Sequence, residues 1–221
     1  MTNTKGPTSA GHLAIGRWSA WLLAALYVAY FAACVASSPN FNAAGDPYWA
    51  IAEVLTVVGS PLQVLLLSAI HQHAPERAKV YTLAAFASMT TMAALTMTVH
   101  FIELIVVRRI DPSTSAALTS VFDLGRPSLL LGMDTAAWHI FFGLSLLLAA
   151  PAFARQGIEG AVRAGLAIGG TLDLLGLIGP VTGRENLRLI GVFGYGLVFP
   201  VTCVLIGIAF RRVEQESQPR A

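Results

Sequence analysis

Apolar residues along this chain gather into six blocks, near 18–36, 48–70, 80–109, 128–153, 161–178 and 187–210, with short polar or basic stretches between them. About 20 apolar residues in a helix cross the hydrocarbon core of a bilayer. The pattern predicts an all-α, polytopic membrane helix bundle of six transmembrane helices. One domain then covers 1–221, with flexible tails at 1–12 and 212–221. No fixed-period repeat is visible. The loop over 110–127 is the longest, and its end, 121–127, mixes apolar and charged residues in a way that suits an interface. Gly59-Ser60-Pro61 interrupts the second block and predicts a kink or loosening there.

Composition strengthens the membrane reading. Hydrophobic residues make up 55% of the chain and charged residues 12%, and the mean hydropathy is +0.66. The formal charge is only +2, and the Lys and Arg residues sit mainly between blocks, so nucleic acid is not an expected partner. Nine of the fourteen Lys and Arg fall at the amino terminus, the second and fourth loops and the carboxyl tail. That asymmetry places both termini in the cytoplasm and the chain in the inner membrane as a multi-pass protein. Cys34 and Cys203 each lie inside a block and read as small apolar residues, not as a disulfide. The first block also admits a secretory-signal reading, with Phe31-Ala32-Ala33-Cys34 as a loose cleavage box. Its length favours a retained helix.

Ionisable residues inside membrane helices mark candidate functional sites, because they are costly there. His100 and Glu103 share one face of the third helix, continued backwards by Thr96, Met92 and Met89. Glu53, Thr56, Ser60 and Gln63 form a polar stripe on the second. The fourth carries Asp134, Trp138 and His139, the fifth Asp173, the sixth Tyr195. At 1.5 Å per residue, the four acids lie about 8–10 Å inside the outer ends of their helices. One polar cavity in the outer half is therefore expected. Four carboxyls in a low-dielectric pocket cannot all stay ionised, so some would hold protons and donate them. Glu103, His100, Asp134 and Asp173 are the candidate catalytic groups. Glu53, Gln63, Trp138, His139 and Tyr195 are the candidate substrate-binding groups, and Arg184 or Arg188 could reach in from the last outer loop.

Plainer roles exist for each. Glu103 could pair with Arg108 or snorkel to the interface, Glu53 could be a wet helix-end residue, and Asp134 a first-turn acid. His139 beside Trp138 fits a satisfied core histidine. Gly165 and Gly169 make a GxxxG packing motif, and the methionines fit as gap fillers. Asp173 is harder to dismiss, since Leu and Gly flank it. No metal or other cofactor is expected: the carboxylate di-metal signature sets Glu before His on two helices, whereas His100 and Glu103 reverse that order and occur once. Walker, dinucleotide, HExxH and GxSxG motifs are missing from the sequence.

Several blocks in order, GSPLQVLLLSAIHQHAPERAKVYTLAAFA, HFIELIVVRR, GLSLLLAAPAF and FPVTCVLIGIAFRR, resemble a family of small bacterial six-helix integral membrane proteins of unknown function. That resemblance implies a fold and no activity. The chain is also similar to the emopamil-binding sterol isomerases, in which a His and a Glu one turn apart on a membrane helix serve proton transfer. That likeness would give His100 and Glu103 such a role.

The leading expectation is a cavity that binds a lipophilic small molecule. Its catalytic form is acid–base isomerisation, cyclisation or hydration of an isoprenoid-like substrate, with Trp138 and Tyr195 facing developing positive charge. A non-catalytic accessory protein would use the same residues for recognition alone. The alternative is proton-coupled transport with Asp173 and Glu103 titrating and Pro61 and Pro200 as hinges; six short spans would then call for a homodimer.

Overall fold

The computed structural model describes residues 8–38, 45–110, 118, 121–122, 124 and 127–217. Among them there are six helices long and apolar enough to cross a membrane and no strand. They are α1 (Thr8–Ser37), α2 (Tyr48–His73), α3 (Lys79–Ile105), α4 (Leu129–Ala152), α5 (Gly157–Gly176) and α6 (Asn186–Glu216).

Each helix packs on the next, and α6 returns to pack on α1, so the bundle is a closed ring in chain order. Apart from the long link between α3 and α4, the connections are short, and a helix joined in that way folds back beside its predecessor. All six helices therefore present one set of ends at Ser37 and Tyr48 and the other at His73. The expected helix positions hold, with longer ends. α1 begins at Thr8, and the last helix runs through Arg211 to Ser217, where a flexible tail was expected. An ion pair between Arg17 and Glu214 ties those two extensions together. Pro61 does not break α2. The expected interfacial segment at 121–127 lies largely outside the described residues.

The two ends of the ring are built differently. Toward His73 the core is filled by large side chains, with Phe153, Phe210, Leu66, Leu67 and Ile70 all fully buried. His73 packs against Phe153 at a tilt and edge-to-face on Phe210 there, and approaches Glu159 at 3.7 Å. Toward Tyr48 the centre stays partly open.

Glycine governs the α5 side of the ring. A Cβ at Gly176 would lie 2.8 Å from the Gly191 nitrogen and from the His139 ring, and one at Gly170 would lie 2.8 Å from Leu147. Only bare backbone lets α5 sit this close to α4 and α6. Gly165 faces Thr202 and Gly169 faces Leu146 and Val198, so the GxxxG face is occupied inside the bundle.

Two stretches depart from the α-helical pattern. Ala136–Phe142 in α4 and Gly194–Val198 in α6 are π-helical. Such bulges insert a residue into the turn and re-aim side chains, and they recur at functional sites. Here they face each other, with the Trp138 and Tyr195 ring centroids 4.9 Å apart.

Candidate functional site

The open centre is a cavity within the ring. Five helices line it. α1 gives Leu23, Leu26, Tyr27 and Tyr30, and α2 gives Leu55, Thr56, Gly59 and Gln63. α3 supplies His100, α4 supplies Asp134 and Trp138, and α6 supplies Tyr195. The wall is mostly aromatic and aliphatic, with a few polar atoms, as in small-molecule sites generally.

His100 is the hub of those polar atoms. Its Nδ1 lies 2.6 Å from Glu53 Oε2, and its Nε2 lies 3.4 Å from Asp134 Oδ1. Three helices thus bring one imidazole between two acids. An ionised Glu53 can only accept, which puts a proton on Nδ1 and leaves Nε2 to give or take one on the Asp134 side. Glu53 is 1% exposed and sits behind His100, outside the cavity lining. Neither His100 Nε2 nor Asp134 Oδ1 has a hydrogen bond of normal geometry within the protein. The two atoms meet instead as a long ion-pair contact.

A second polar pair lies deeper on α2. Gln63 Nε2 donates to the Tyr27 hydroxyl at 3.2 Å, and Gln63 Oε1 is buried without a partner. Between the two polar regions, Thr56 returns its hydroxyl proton to the Ala52 carbonyl at 3.0 Å. Phe142 and Phe199 extend the aromatic wall behind Trp138 and Tyr27, with centroids 4.9–5.7 Å apart.

The structure separates the expected site residues into three groups. His100, Asp134, Gln63, Trp138 and Tyr195 line the cavity, and Glu53 supports it from one shell back. Glu103 is buried one turn beyond His100 and is not part of the lining. Arg108 pairs with Asp46 at the helix ends. The third group is on the glycine-sealed side of the ring. His139 fills the slot left by Gly176 and Gly191, and its Nδ1 donates to the Asp173 carbonyl at 3.1 Å. That carbonyl is available because Leu177 N bonds one residue further on, to Leu174, as α5 ends. Asp173 itself is 0% exposed. The Tyr195 amide approaches its carboxylate, but neither oxygen completes a hydrogen bond of normal geometry.

Tyr27 and Tyr30 were missed as site residues by the sequence. They lie in the first apolar block, and the closure of α6 on α1 turns them inward. No group of three or more His, Cys, Asp or Glu suited to a metal occurs among the described residues. No family model, no curated protein and no solved structure matches the chain.

Proposed function

We propose that this is a multi-pass protein of the inner membrane, with both termini cytoplasmic, whose cavity lies in the outer half of the bilayer. Its work is proton transfer on a lipophilic, isoprenoid-like small molecule. The observation that carries this reading is His100 held between Glu53 and Asp134 at the wall of an otherwise aromatic cavity.

The chemistry follows from the arrangement. Glu53 fixes the ring and its tautomer, as the third member of a base–orienter pair does elsewhere. Nε2, with Asp134 beside it, delivers a proton to a substrate double bond, and the same nitrogen removes one from a neighbouring carbon. The double bond moves, and the protein ends as it began. Positive charge that develops between the two steps faces the rings of Trp138, Tyr195, Tyr27 and Tyr30, which stabilise cations through their π faces. Phe142 and Phe199 behind those rings keep water away from the intermediate. Glu103, a turn from His100, is a second acid on the same face.

Deuterium incorporation tests this directly. The protein in nanodiscs is incubated with native lipid extract in D2O, and its retained lipids are analysed by mass spectrometry. One lipid should gain a single mass unit, and Asp134→Asn should stop the gain while that lipid remains bound. A lipid retained without any exchange would mean a binding protein and no catalyst.

Asp173 supports a second reading, proton-coupled transport. Its fully buried carboxylate has no normal hydrogen bond and touches the π-helical stretch of α6, where the backbone has slack for a change of packing. On that reading, pH-driven flux in vesicles disappears in Asp173→Asn.

A further inference from the structure

We propose that Gln63 and Tyr27 form a hydroxyl-recognition subsite, so that the cavity takes an elongated lipophilic alcohol lying along α2 with its hydroxyl at the deep end. The inference rests on the cavity being a ligand site, as proposed above, and adds the class and direction of the ligand.

Three observations carry it. The first is the unpartnered amide. Gln63 is a lining residue of the cavity and 2% exposed, its Nε2 is engaged with Tyr27, and its Oε1 is buried without a partner. A buried acceptor left unsatisfied costs the full desolvation of that group, which favours a ligand that supplies the donor. Because Tyr27 accepts from Gln63, its own hydroxyl proton remains to be given. The pair offers one acceptor and one donor side by side. An alcohol matches both at once, by donating to Gln63 Oε1 and accepting from Tyr27 Oη. A methyl ether or an alkene cannot.

Spacing is the second observation. Glu53 and Gln63 are ten residues apart on one helix, about 15 Å along its axis. The polar regions at His100–Asp134 and at Gln63–Tyr27 are thus separated by roughly the length of a twelve-carbon chain. Thr56, the polar lining residue of α2 between them, has committed its proton to its own helix. The middle of the cavity is therefore suited to hydrocarbon and its two ends to polar groups.

Gly59 is the third. It is buried and lines the cavity between the two ends, and an added Cβ there meets no heavy atom within 4 Å. Larger side chains at this position enter the space the ligand would occupy without displacing the protein.

The experiment compares 12-bromododecan-1-ol, its methyl ether and 1-bromododecane on the full chain in nanodiscs. Bromine quenching of Trp138 reports binding, and Trp138→Phe sets the background. The alcohol should bind about tenfold more tightly than the ether, the ratio expected for one neutral hydrogen bond with a buried partner. Gln63→Leu should bring that ratio to about one while the ether binds as before. Tyr27→Phe should lower the preference for the alcohol over 1-bromododecane by about threefold, and that readout serves alone should Gln63→Leu fail to fold. Gly59→Leu should exclude all three probes. An alcohol-to-ether ratio near one in the native protein, one that survives Gln63→Leu, or an alcohol-to-bromododecane preference that survives Tyr27→Phe, overturns the hydroxyl subsite and leaves the cavity reading standing. Quenching that is not saturable, or that persists unchanged in Gly59→Leu, overturns both.

Discussion

His100 and His139 stand on adjacent helices, both are buried, and both are flanked by apolar residues in the chain. Their surroundings differ in kind. His139 is enclosed by two glycines and bonded to a backbone carbonyl that the end of α5 leaves available. All the demand of its Nδ1 is met locally, and packing holds the ring. His100 meets side chains from two other helices, with Nδ1 at 2.6 Å from Glu53 Oε2 and Nε2 at 3.4 Å from Asp134 Oδ1. A buried histidine is a structural part where backbone satisfies it and a chemical one where separate helices bring titratable partners to it. Burial by itself does not distinguish the two.

The largest test of that contrast is His100→Leu. Removing the imidazole leaves Glu53 and Asp134 without the group that bridges them, and breaking a buried polar pair in this way costs about 3–5 kcal/mol. Thermal unfolding in nanodiscs should show that loss. A native-like midpoint would mean the two acids do not depend on His100.

Glycine packing gives an intermediate effect. Gly176→Ala forces a Cβ against the Gly191 backbone and the His139 ring, and overpacking of this kind costs about 1–3 kcal/mol. Gly59→Ala, placed in open space within α2, should lose no stability and gain about 0.5–1 kcal/mol from helix propensity. Equal losses in the two variants would contradict the division between a sealed side and an open centre.

His139→Gln should have the smallest measurable consequence, about 1 kcal/mol, the usual net value of one hydrogen bond. It should leave deuterium exchange into the retained lipid intact. Loss of exchange without loss of stability would move His139 from the structural group to the chemical one.

The six helices were legible because block length and hydropathy alone set whether a helix can span a bilayer. Antiparallel order followed from the short connections, and the polar stripe Glu53–Thr56–Gln63 from helical periodicity. The approach of Glu53 and Asp134 to His100 was legible only as a shared depth. Depth is a one-dimensional property, and it also grouped Asp173 with these residues although that residue sits on the other side of Tyr195. Nothing local in Gly191 or Gly176 marks them as the slot for His139. The two π-helical stretches likewise have no periodic signature, since one inserted residue does not alter the apolar character of a block.

The sequence by itself determined which residues belong to the long apolar helices and at what level along them, because transfer free energy and rise per residue are additive along the chain. Azimuth is different: it depends on how closely neighbouring backbones approach, and that is settled by pairs of residues on different helices. Only the tertiary structure decided that α6 closes on α1, that Tyr27 and Tyr30 turn inward, and that His100 rather than His139 meets two acids.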